Sequence, residues 1–231
     1  MKNKMFALLL VLVFCLPFVL GFGAPPAKDK DTTTSASAGY PYLIDNFEDG
    51  DMDASPEWFI FDNAIIKVEK NAGKTAGDAT VVETIGSYSI GVKGSTTKWY
   101  VGGMGTMIGL DATKYKSIEM DVYGNGEGSG KIKIEGYDDD NGNNEIEVSS
   151  DWVPKYDDLW MYEIDVNWTG WKHISIAFPS MTISNPGKGD GSFNPNLAGG
   201  SGGLIKMQLI FVAVEEEGDI NFSIDNLELG K

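Results

Sequence analysis

Residues 117–137 read SIEMDVYGNGEGSGKIKIEGY, and this stretch decides the fold. Apolar and polar side chains alternate at its start, and residues 131–137 repeat the alternation, with isoleucines on one side and charged residues or tyrosine on the other. Successive side chains of a β-strand point to opposite faces, so both segments are predicted to be strands with one buried and one solvated edge. Asn125-Gly126, between them, is typical of a short hairpin turn.

The same pattern continues on both sides of this stretch. Alternating segments, separated by clusters of Gly, Asn, Asp and Ser, predict strands at 42–48, 58–62, 65–70, 88–93, 99–103, 117–123, 131–137, 145–149, 161–166, 171–178, 205–214 and 219–229. Asn141-Gly142 is a second hairpin signal, and no stretch keeps a helical period for three turns. Many short strands at this spacing predict an all-β chain, a β-sandwich or jelly roll of two antiparallel sheets.

The composition excludes several classes of partner. The chain of 231 residues has 18 basic and 34 acidic side chains and a formal net charge of -16, and all 18 basic residues are lysines. A nucleic-acid backbone or an anionic membrane surface would repel such a protein, which also lacks the arginine fork that grips phosphate. We therefore expect no nucleic-acid partner. Cys15 is the only cysteine, so no disulfide forms within the chain.

The N-terminal region has the pattern of an exported protein. A basic start, an almost unbroken apolar run and then small residues predict a signal peptide over 1–23. A membrane anchor, which Pro17 would break, and lipid attachment at Cys15 remain as alternatives. The brevity of the signal is typical of bacteria.

The rest of the chain divides into a linker and a domain. Residues 24–40 lack apolar periodicity and are predicted to be a disordered linker, and 41–231 are predicted to be one folded domain. We expect a protein that is secreted or located in the periplasm or cell envelope. No membrane insertion is expected after the signal is cleaved.

Three predicted strands each have one polar edge. The segments 117–123, 131–137 and 171–178 each place carboxylates, lysines, an imidazole or tyrosines opposite their apolar side chains. If these strands are neighbours, their edges form one hydrophilic sheet surface, which Gln208 could join. The alternative is an ordinary solvated sheet face.

Three further segments, taken in order, resemble a known family. LIDNFEDG at 43–50 with Trp58 after it, TGWKHISIAF at 169–178 and FSIDNLEL at 222–229 are similar to the jelly-roll carbohydrate-binding modules of the galactose-binding-like superfamily, nearest to the family 11 type. The resemblance implies a β-sandwich whose concave sheet binds glycan chains. In many relatives a structural calcium ion also joins the terminal strands.

The resemblance points to two calcium ligands, Glu48 and Asp225, at opposite ends of the domain. Calcium takes about six to eight hard oxygen ligands, which two carboxylates and backbone carbonyls could begin to supply. Asp78 and Glu83 are weaker candidates for the remaining positions. The alternative is that Glu48 and Asp225 only cap strand ends.

The resemblance also suggests which side chains contact sugar. It places Trp58 and Trp171 in the core. The candidate carbohydrate-binding residues are Trp99, Tyr100, Trp160 and Tyr162 as aromatic platforms, and Asp121, Tyr123, Glu135, Tyr137, His173 and Gln208 on polar strand edges. Sugar rings present C–H faces that pack on aromatic rings, and their hydroxyls pair with polar side chains. The alternative for each aromatic residue is packing in the core.

Other site motifs fit the sequence poorly. DDDNGNNE at 138–145 is out of register for an EF-hand, so a turn is expected there, with an exposed calcium site as the alternative. The glycine-rich segment 102–105 lacks the lysine of a phosphate loop and is interpreted as a turn. His173 is the only histidine and comes without a nucleophile motif, so the chain is not expected to be an enzyme.

The sequence therefore predicts a non-catalytic module that binds a polysaccharide or oligosaccharide. The alternative is an envelope or extracellular structural protein that uses the same jelly roll without binding sugar and has an envelope protein as its partner. A small hydrolase or lyase on the same sandwich is a third hypothesis.

Overall fold

The structure, a computed structural model, describes residues 41–71 and 85–231. The predicted signal peptide and linker, Asp78 and Glu83 lie outside the described residues. All described residues belong to one unit of the chain, Ala38–Lys231. Among these residues there is no helix with the length and apolar character needed to cross a membrane.

The described chain forms twelve strands. They are β1 Tyr42–Asp45, β2 Phe59–Asp62, β3 Ile65–Lys70, β4 Tyr88–Thr96, β5 Tyr100–Leu110, β6 Ser117–Asn125, β7 Lys131–Asp138, β8 Asp158–Asp165, β9 Thr169–Ala177, β10 Thr182–Ile183, β11 Leu204–Val212 and β12 Gly218–Gly230. Within the described ranges, the helical segments are two short turns of 3-10 helix, Phe178–Ser180 and Ala198–Gly200.

The strands pair into two six-stranded sheets, and every pairing is antiparallel. Sheet 1 has the order β3-β4-β12-β6-β9, and β1 also pairs with β12. Sheet 2 has the order β10-β8-β7-β11-β5-β2. The predicted all-β jelly roll of two antiparallel sheets is therefore confirmed.

The core lies between the two sheets, because the apolar edge of each strand faces inward. Phe211 of β11 and Phe222 of β12 meet edge to face with ring centroids 5.5 Å apart, and so connect sheet 2 with sheet 1. Trp58 is buried in this core, as predicted, and its indole N–H donates to Asp45 Oδ2 at 2.7 Å. Trp171 is also buried, but it packs on the outer side of sheet 1.

The predicted common surface of three polar strand edges is wrong. β6 and β9 pair in sheet 1, whereas β7 pairs with β8 and β11 in sheet 2. Asn125-Gly126 does not close a hairpin, because the chain there crosses from one sheet to the other. The Ser129 hydroxyl donates to the Gly126 carbonyl at 2.7 Å and stabilises this crossing. The polar edges therefore lie on opposite outer faces of the sandwich.

The connection between β7 and β8 is a long loop, which we call the β7–β8 loop (139–157). Residues 145–149, predicted to be a strand, contribute only a single bridge between Val148 and Pro154. Asn141-Gly142 is not a tight hairpin, because the Asp139 carboxylate accepts hydrogen bonds from the backbone of Gly142 and Asn144 and holds the chain in the loop.

Two further differences from the prediction concern β5 and β10. β5 extends to Leu110, so the glycine-rich segment 102–105, interpreted as a turn, lies inside a strand. β10 was not predicted, because two residues are too few to show alternation.

Candidate functional site

The outer face of sheet 2 is ordered in rows that run across neighbouring strands. Gln208 of β11 stands opposite Glu135 of β7 on one side and Gly105 of β5 on the other. In the next row Lys206 stands opposite Tyr137. Directly opposed residues of antiparallel strands point to the same face. These side chains therefore share one surface.

Two phenylalanines of the edge strand β2 lie on this face. Phe59 is opposite Gly105 and Phe61 is opposite Gly103 in the ladder, and a β-carbon added to either glycine would lie 2.5 Å from the ring beside it. Because these two glycines have no side chain, both rings can lie across β5. The ring centroids are 6.1 Å apart with 32° between their planes, and Phe59 is 41% exposed. The face therefore carries a pair of rings accessible to solvent.

A hydrogen-bonded polar group occupies β7 and β11 on the same face. The Tyr137 hydroxyl donates to the side-chain oxygen of Gln208 and lies 3.2 Å from Glu135 Oε2. Lys133 Nζ forms an ion pair with Glu135 Oε1 at 2.7 Å. Glu135 is only 6% exposed, so these contacts offset the cost of burying its charge. They fix the Glu135 carboxylate and the Gln208 amide in position.

Lys206 is a second cation on this face. Its Nζ lies 3.8 Å from the centroid of the Tyr137 ring, within the range of cation–π attraction. Burial lowers the pKa of Lys206 from 10.5 to about 8, and the charge of Glu135 offsets part of this effect. Burial and Glu135 also raise the pKa of Tyr137 above its ordinary value, so its hydroxyl keeps its proton at neutral pH.

The β7–β8 loop covers one end of the face. Tyr137, Leu159 and Ile205 form a small apolar cluster, and Ile146 of the loop packs against it. Tyr137 is only 3% exposed. Contrary to expectation, its ring is not open to a ligand, and its hydroxyl instead positions Gln208.

Trp99 and Tyr100, two of the predicted platforms, lie at the start of β5 and are exposed. Tyr100 stands opposite Val212, and its hydroxyl donates to Asp62 Oδ2. Burial and Asp62 raise the pKa of the Tyr100 phenol, and Glu135 makes a smaller contribution in the same direction. Trp99 precedes the β5 ladder and has a positive φ of 56°.

The other two predicted platforms, Trp160 and Tyr162, are not brought to this face. They stand opposite Gly136 and Ile134 on β7, and Ile134 is buried in the core. Trp160 packs edge to face on Phe193 at 5.8 Å and lies against the core. Both residues belong to the inner side of sheet 2, contrary to the prediction.

Asp121, Tyr123 and His173 lie on the outer face of sheet 1, on the opposite side of the sandwich from Glu135 and Gln208. His173 Nδ1 is 2.9 Å from Asp121 Oδ1. Tyr123 packs edge to face on Trp171 at 5.4 Å. The ten predicted carbohydrate-binding residues therefore do not form one surface.

The two predicted calcium ligands lie near each other. Glu48 Oε1 accepts a hydrogen bond from the Tyr88 backbone at 2.8 Å, and the Asp225 carboxyl is fully buried. Burial raises the pKa of Asp225 to about 7, and the charges of Asp121 and Glu48 add to the shift. Carboxylates are donors of the kind that calcium prefers, so these two residues fit the predicted ion.

A different group of acidic side chains lies close together in the described part of the chain. Asp140, Asp158 and Asp190 each offer one oxygen atom, and these atoms lie within 4.8 Å of one another. Among the described residues this is the one group of three or more possible metal ligands, and it does not include Glu48 or Asp225.

Known structures share this architecture. A family 11 carbohydrate-binding module of a cellulosomal cellulase of Clostridium thermocellum is 21% identical, with a TM-score of 0.50 and coverage of 84% of this chain and 96% of that one. The fold is that of a family 11 carbohydrate-binding module. A family 11 module from Clostridium thermocellum in complex with a β-1,3-1,4-mixed-linked tetrasaccharide is 21% identical, with a TM-score of 0.52 and coverage of 84% and 97%. The resemblance indicated by the sequence motifs is thus confirmed for the fold.

Sequence comparison alone adds nothing to this result. No model of a protein family matches the chain. No curated protein matches it either.

Sequence reasoning missed several residues of this carbohydrate-binding-module fold. Phe59 and Phe61 were visible as alternate residues of a predicted strand, but their role depends on the glycines of β5, a strand about 40 residues away in the chain. Trp152 in the β7–β8 loop was missed as well. It is 79% exposed, and Tyr156 of the same loop is exposed too.

Proposed function

We propose that the protein binds a polysaccharide or oligosaccharide on the outer face of sheet 2 and does not act on it chemically. The observation that carries this proposal is the pair of rings, Phe59 and Phe61, laid over glycines beside the fixed amide of Gln208. Flat apolar rings next to hydrogen-bonding groups match the two kinds of surface on a sugar.

The polar half of the face supplies both hydrogen-bond donors and acceptors. Gln208 and Glu135 offer oxygen acceptors, and the side chains of Lys133 and Lys206 offer donors. Sugar hydroxyls can pair with both kinds. Because Glu135 and Gln208 are already held in place, ordering them on binding costs little conformational entropy.

A cleft at the β2 edge extends the proposed site. It has a volume of about 530 Å³ and is lined by Tyr42, Pro56, Phe59 and Met107, among others. Clefts of this size are typical of small-ligand sites. A chain of sugar units could continue from the rings into this cleft, which favours an oligosaccharide or polysaccharide over a single sugar.

The decisive experiment is calorimetry or affinity electrophoresis against mixed-linked β-glucan, xylan and mannan. Mixed-linked glucan is the first probe, because a family 11 module with this fold was determined with such an oligosaccharide. Phe61→Ala and Phe59→Ala should each weaken binding about tenfold, equivalent to about 1.4 kcal/mol. Ile65→Ala is the matched control, since Ile65 is an exposed apolar residue on the edge strand of sheet 1. Failure to bind any glycan across a broad array would contradict the proposal.

The proposal includes secretion and a structural calcium ion at Glu48 and Asp225. Support for this ion comes from the proximity of the two carboxylates and from the burial of Asp225. Chelation should lower the melting temperature, and Glu48→Gln should reduce the effect of chelation. A melting temperature that does not change in excess chelator would remove this part of the proposal.

A second candidate function is an envelope assembly protein that does not bind sugar. The observation that favours it is the exposed apolar group Trp152, Val153 and Tyr156 in the β7–β8 loop, since such groups mark interaction surfaces. Sedimentation should then show self-association or capture of an envelope protein that Trp152→Ser removes. A strictly monomeric protein that binds glucan would exclude this candidate.

A further inference from the structure

A cluster of aspartates lies where β7 ends and β8 begins. Asp138 and Asp158 stand opposite each other in the ladder, Asp140 follows β7, and Asp190 comes from the loop after β10. One oxygen each of Asp140, Asp158 and Asp190 lies within 4.8 Å of the other two. Carboxylates at this spacing repel one another, so their approach requires compensation.

The loop that follows β10 wraps the cluster with backbone N–H groups. Gly189 and Gly191 donate to the two oxygens of Asp158 at 3.2 and 2.7 Å, and Asn194 donates to Asp138 Oδ2 at 2.7 Å. None of the ion pairs found among the described residues involves these aspartates. Within the described residues, neutral backbone N–H groups therefore offset the repulsion between the carboxylates.

Two carboxylate oxygens of the cluster receive no hydrogen bond within the described residues. The Asp138 side chain is fully buried, and its Oδ1 receives no hydrogen bond within the described residues; Oδ1 of Asp140 also receives none. Burial and the charges of Asp140, Asp190 and Asp158 raise the pKa of Asp138 to about 7. Because Asp138 stands opposite Asp158 in the β7–β8 ladder, the two side chains point to the same face of the sheet. An unpartnered buried carboxylate is costly, and a bound cation would remove this cost.

Gly189 closes over the cluster. A β-carbon there would lie 1.9 Å from Asp140 Oδ2 and 2.6 Å from Asp158 Oδ1. The loop backbone therefore lies directly against the carboxylates.

We propose that Asp138, Asp140, Asp158 and Asp190 bind one calcium ion. Calcium takes oxygen ligands at about 2.3–2.6 Å, so two oxygens on one ion lie no more than about 5 Å apart. One oxygen each of Asp140, Asp158 and Asp190 meets this limit, and the buried Asp138 stands beside them, opposite Asp158 in the ladder. Magnesium usually keeps several waters and requires near-octahedral geometry, so a loop-built site with four carboxylates suits calcium better. The ion joins the ends of two strands to the loop after β10.

This site differs from an EF-hand, in which one continuous loop supplies the ligands. The segment 138–145 contributes only Asp138 and Asp140, and the other ligands come from β8 and from the loop after β10. The site is also separate from the calcium ion proposed at Glu48 and Asp225, and it does not depend on glycan binding.

The test is titration of the chelator-treated, dialysed protein with calcium chloride in a calorimeter. Asp190→Asn keeps the size of an exposed side chain and removes one negative charge. It should lower calcium affinity at this site at least tenfold. Asp151→Asn, an exposed aspartate of the β7–β8 loop outside the cluster, is the matched control and should leave the affinity unchanged.

Glu48→Gln distinguishes the two calcium proposals. It should not affect the calcium binding that Asp190→Asn weakens. Calcium binding that only Glu48→Gln weakens would overturn the present site and leave the terminal-strand site standing. Equal losses in Asp190→Asn and Asp151→Asn, or no calcium binding at all, would also overturn it.

A measurement on the unmodified protein covers the case in which Asp190→Asn fails to fold. Saturating calcium should slow the amide hydrogen exchange of Gly189, Gly191 and Asn194, whose N–H groups donate to the cluster, at least tenfold. Exchange rates at these three amides that do not change with calcium would overturn the proposal.

Discussion

The two outer faces of the sandwich look alike in sequence and differ in structure. On sheet 1, His173 lies between carboxylates, 2.9 Å from Asp121 Oδ1 and 3.7 Å from Glu119 Oε2. On sheet 2, glycines of β5 leave room that Phe59 and Phe61 of β2 fill with their rings. Alternation of polar and apolar residues produces a hydrophilic face on both sheets. Only the glycines beside the phenylalanines give one of these faces a flat apolar platform.

The largest effect is expected from breaking the core that both faces share. Phe222→Ala removes the ring that meets Phe211 between the sheets, and should lower the free energy of unfolding by about 3–5 kcal/mol in urea denaturation. Phe59→Ala, a change of the same kind on an exposed ring, should cost less than about 1 kcal/mol. Equal losses in the two variants would mean that Phe59 is as important for folding as the core.

The second prediction compares glycine-to-alanine substitutions on the two outer faces. A β-carbon at Gly103 would lie 2.5 Å from both the Leu209 carbonyl oxygen and the Phe61 ring. Because the carbonyl belongs to a paired strand and cannot move away easily, Gly103→Ala should cost about 1–3 kcal/mol of stability. Displacement of Phe61 should also weaken glucan binding about tenfold, or about 1.4 kcal/mol.

Gly91→Ala on sheet 1 is the control for Gly103→Ala. Its β-carbon would meet the carboxylate of Glu69 at 2.5 Å, and that group is the end of a flexible side chain. Glucan affinity should therefore not change. Equal losses of affinity in the two variants would contradict the assignment of the ligand to sheet 2.

Local alternation was enough to predict much of the fold. β3 was predicted with its observed bounds, Ile65–Lys70, and the buried and polar edges of β6 and β7 were assigned correctly. These features depend on residues next to each other in the chain, where side-chain direction follows from the two-residue period of a strand. The place of Trp58 in the core was also predicted, but from the family resemblance and not from alternation.

The composition of the candidate site could not be predicted in the same way. Asp121 and Glu135 occupy equivalent positions in similar strands, yet they lie on opposite sides of the sandwich. Which sheet a strand joins depends on pairing between distant segments, and a single sequence carries little information on it. For the same reason the ring pair of Phe59 and Phe61 was missed, because it exists only where β2 lies beside Gly103 and Gly105.

The third prediction concerns the buried cation of sheet 2. The pKa of Lys206 in the folded state, about 8, lies below its ordinary value of 10.5, so the folded protein binds fewer protons between these pH values. Lys206 therefore disfavours folding below pH 8, and this cost declines as the pH rises to about 10.5. Lys206→Met should be more stable than the unmodified protein at pH 7, by about 1–2 kcal/mol, and the difference should shrink by pH 10.

Lys131→Met is the control for this pH dependence. Lys131 pairs with Glu163 at 3.1 Å and with Asp165 at 3.0 Å, and these partners raise its pKa. Its charge is therefore the same in both states between pH 8 and 10, and the stability difference between Lys131→Met and the unmodified protein should be flat over that range. A flat difference for Lys206→Met as well would show that Lys206 is not desolvated.

The smallest effect is expected from His173→Ala, and it decides between the two faces. His173 was a predicted sugar contact, but it lies on sheet 1. Removing the imidazole leaves Asp121 with the side chain of Asn226, which donates to Asp121 Oδ2 at 2.8 Å, so stability should fall by less than about 1 kcal/mol. Glucan affinity should stay within about twofold of the unmodified protein, since a twofold change is only about 0.4 kcal/mol. A tenfold loss of affinity, with Phe61→Ala neutral, would place the ligand on sheet 1 and make the ring pair of sheet 2 a surface feature without a role in binding.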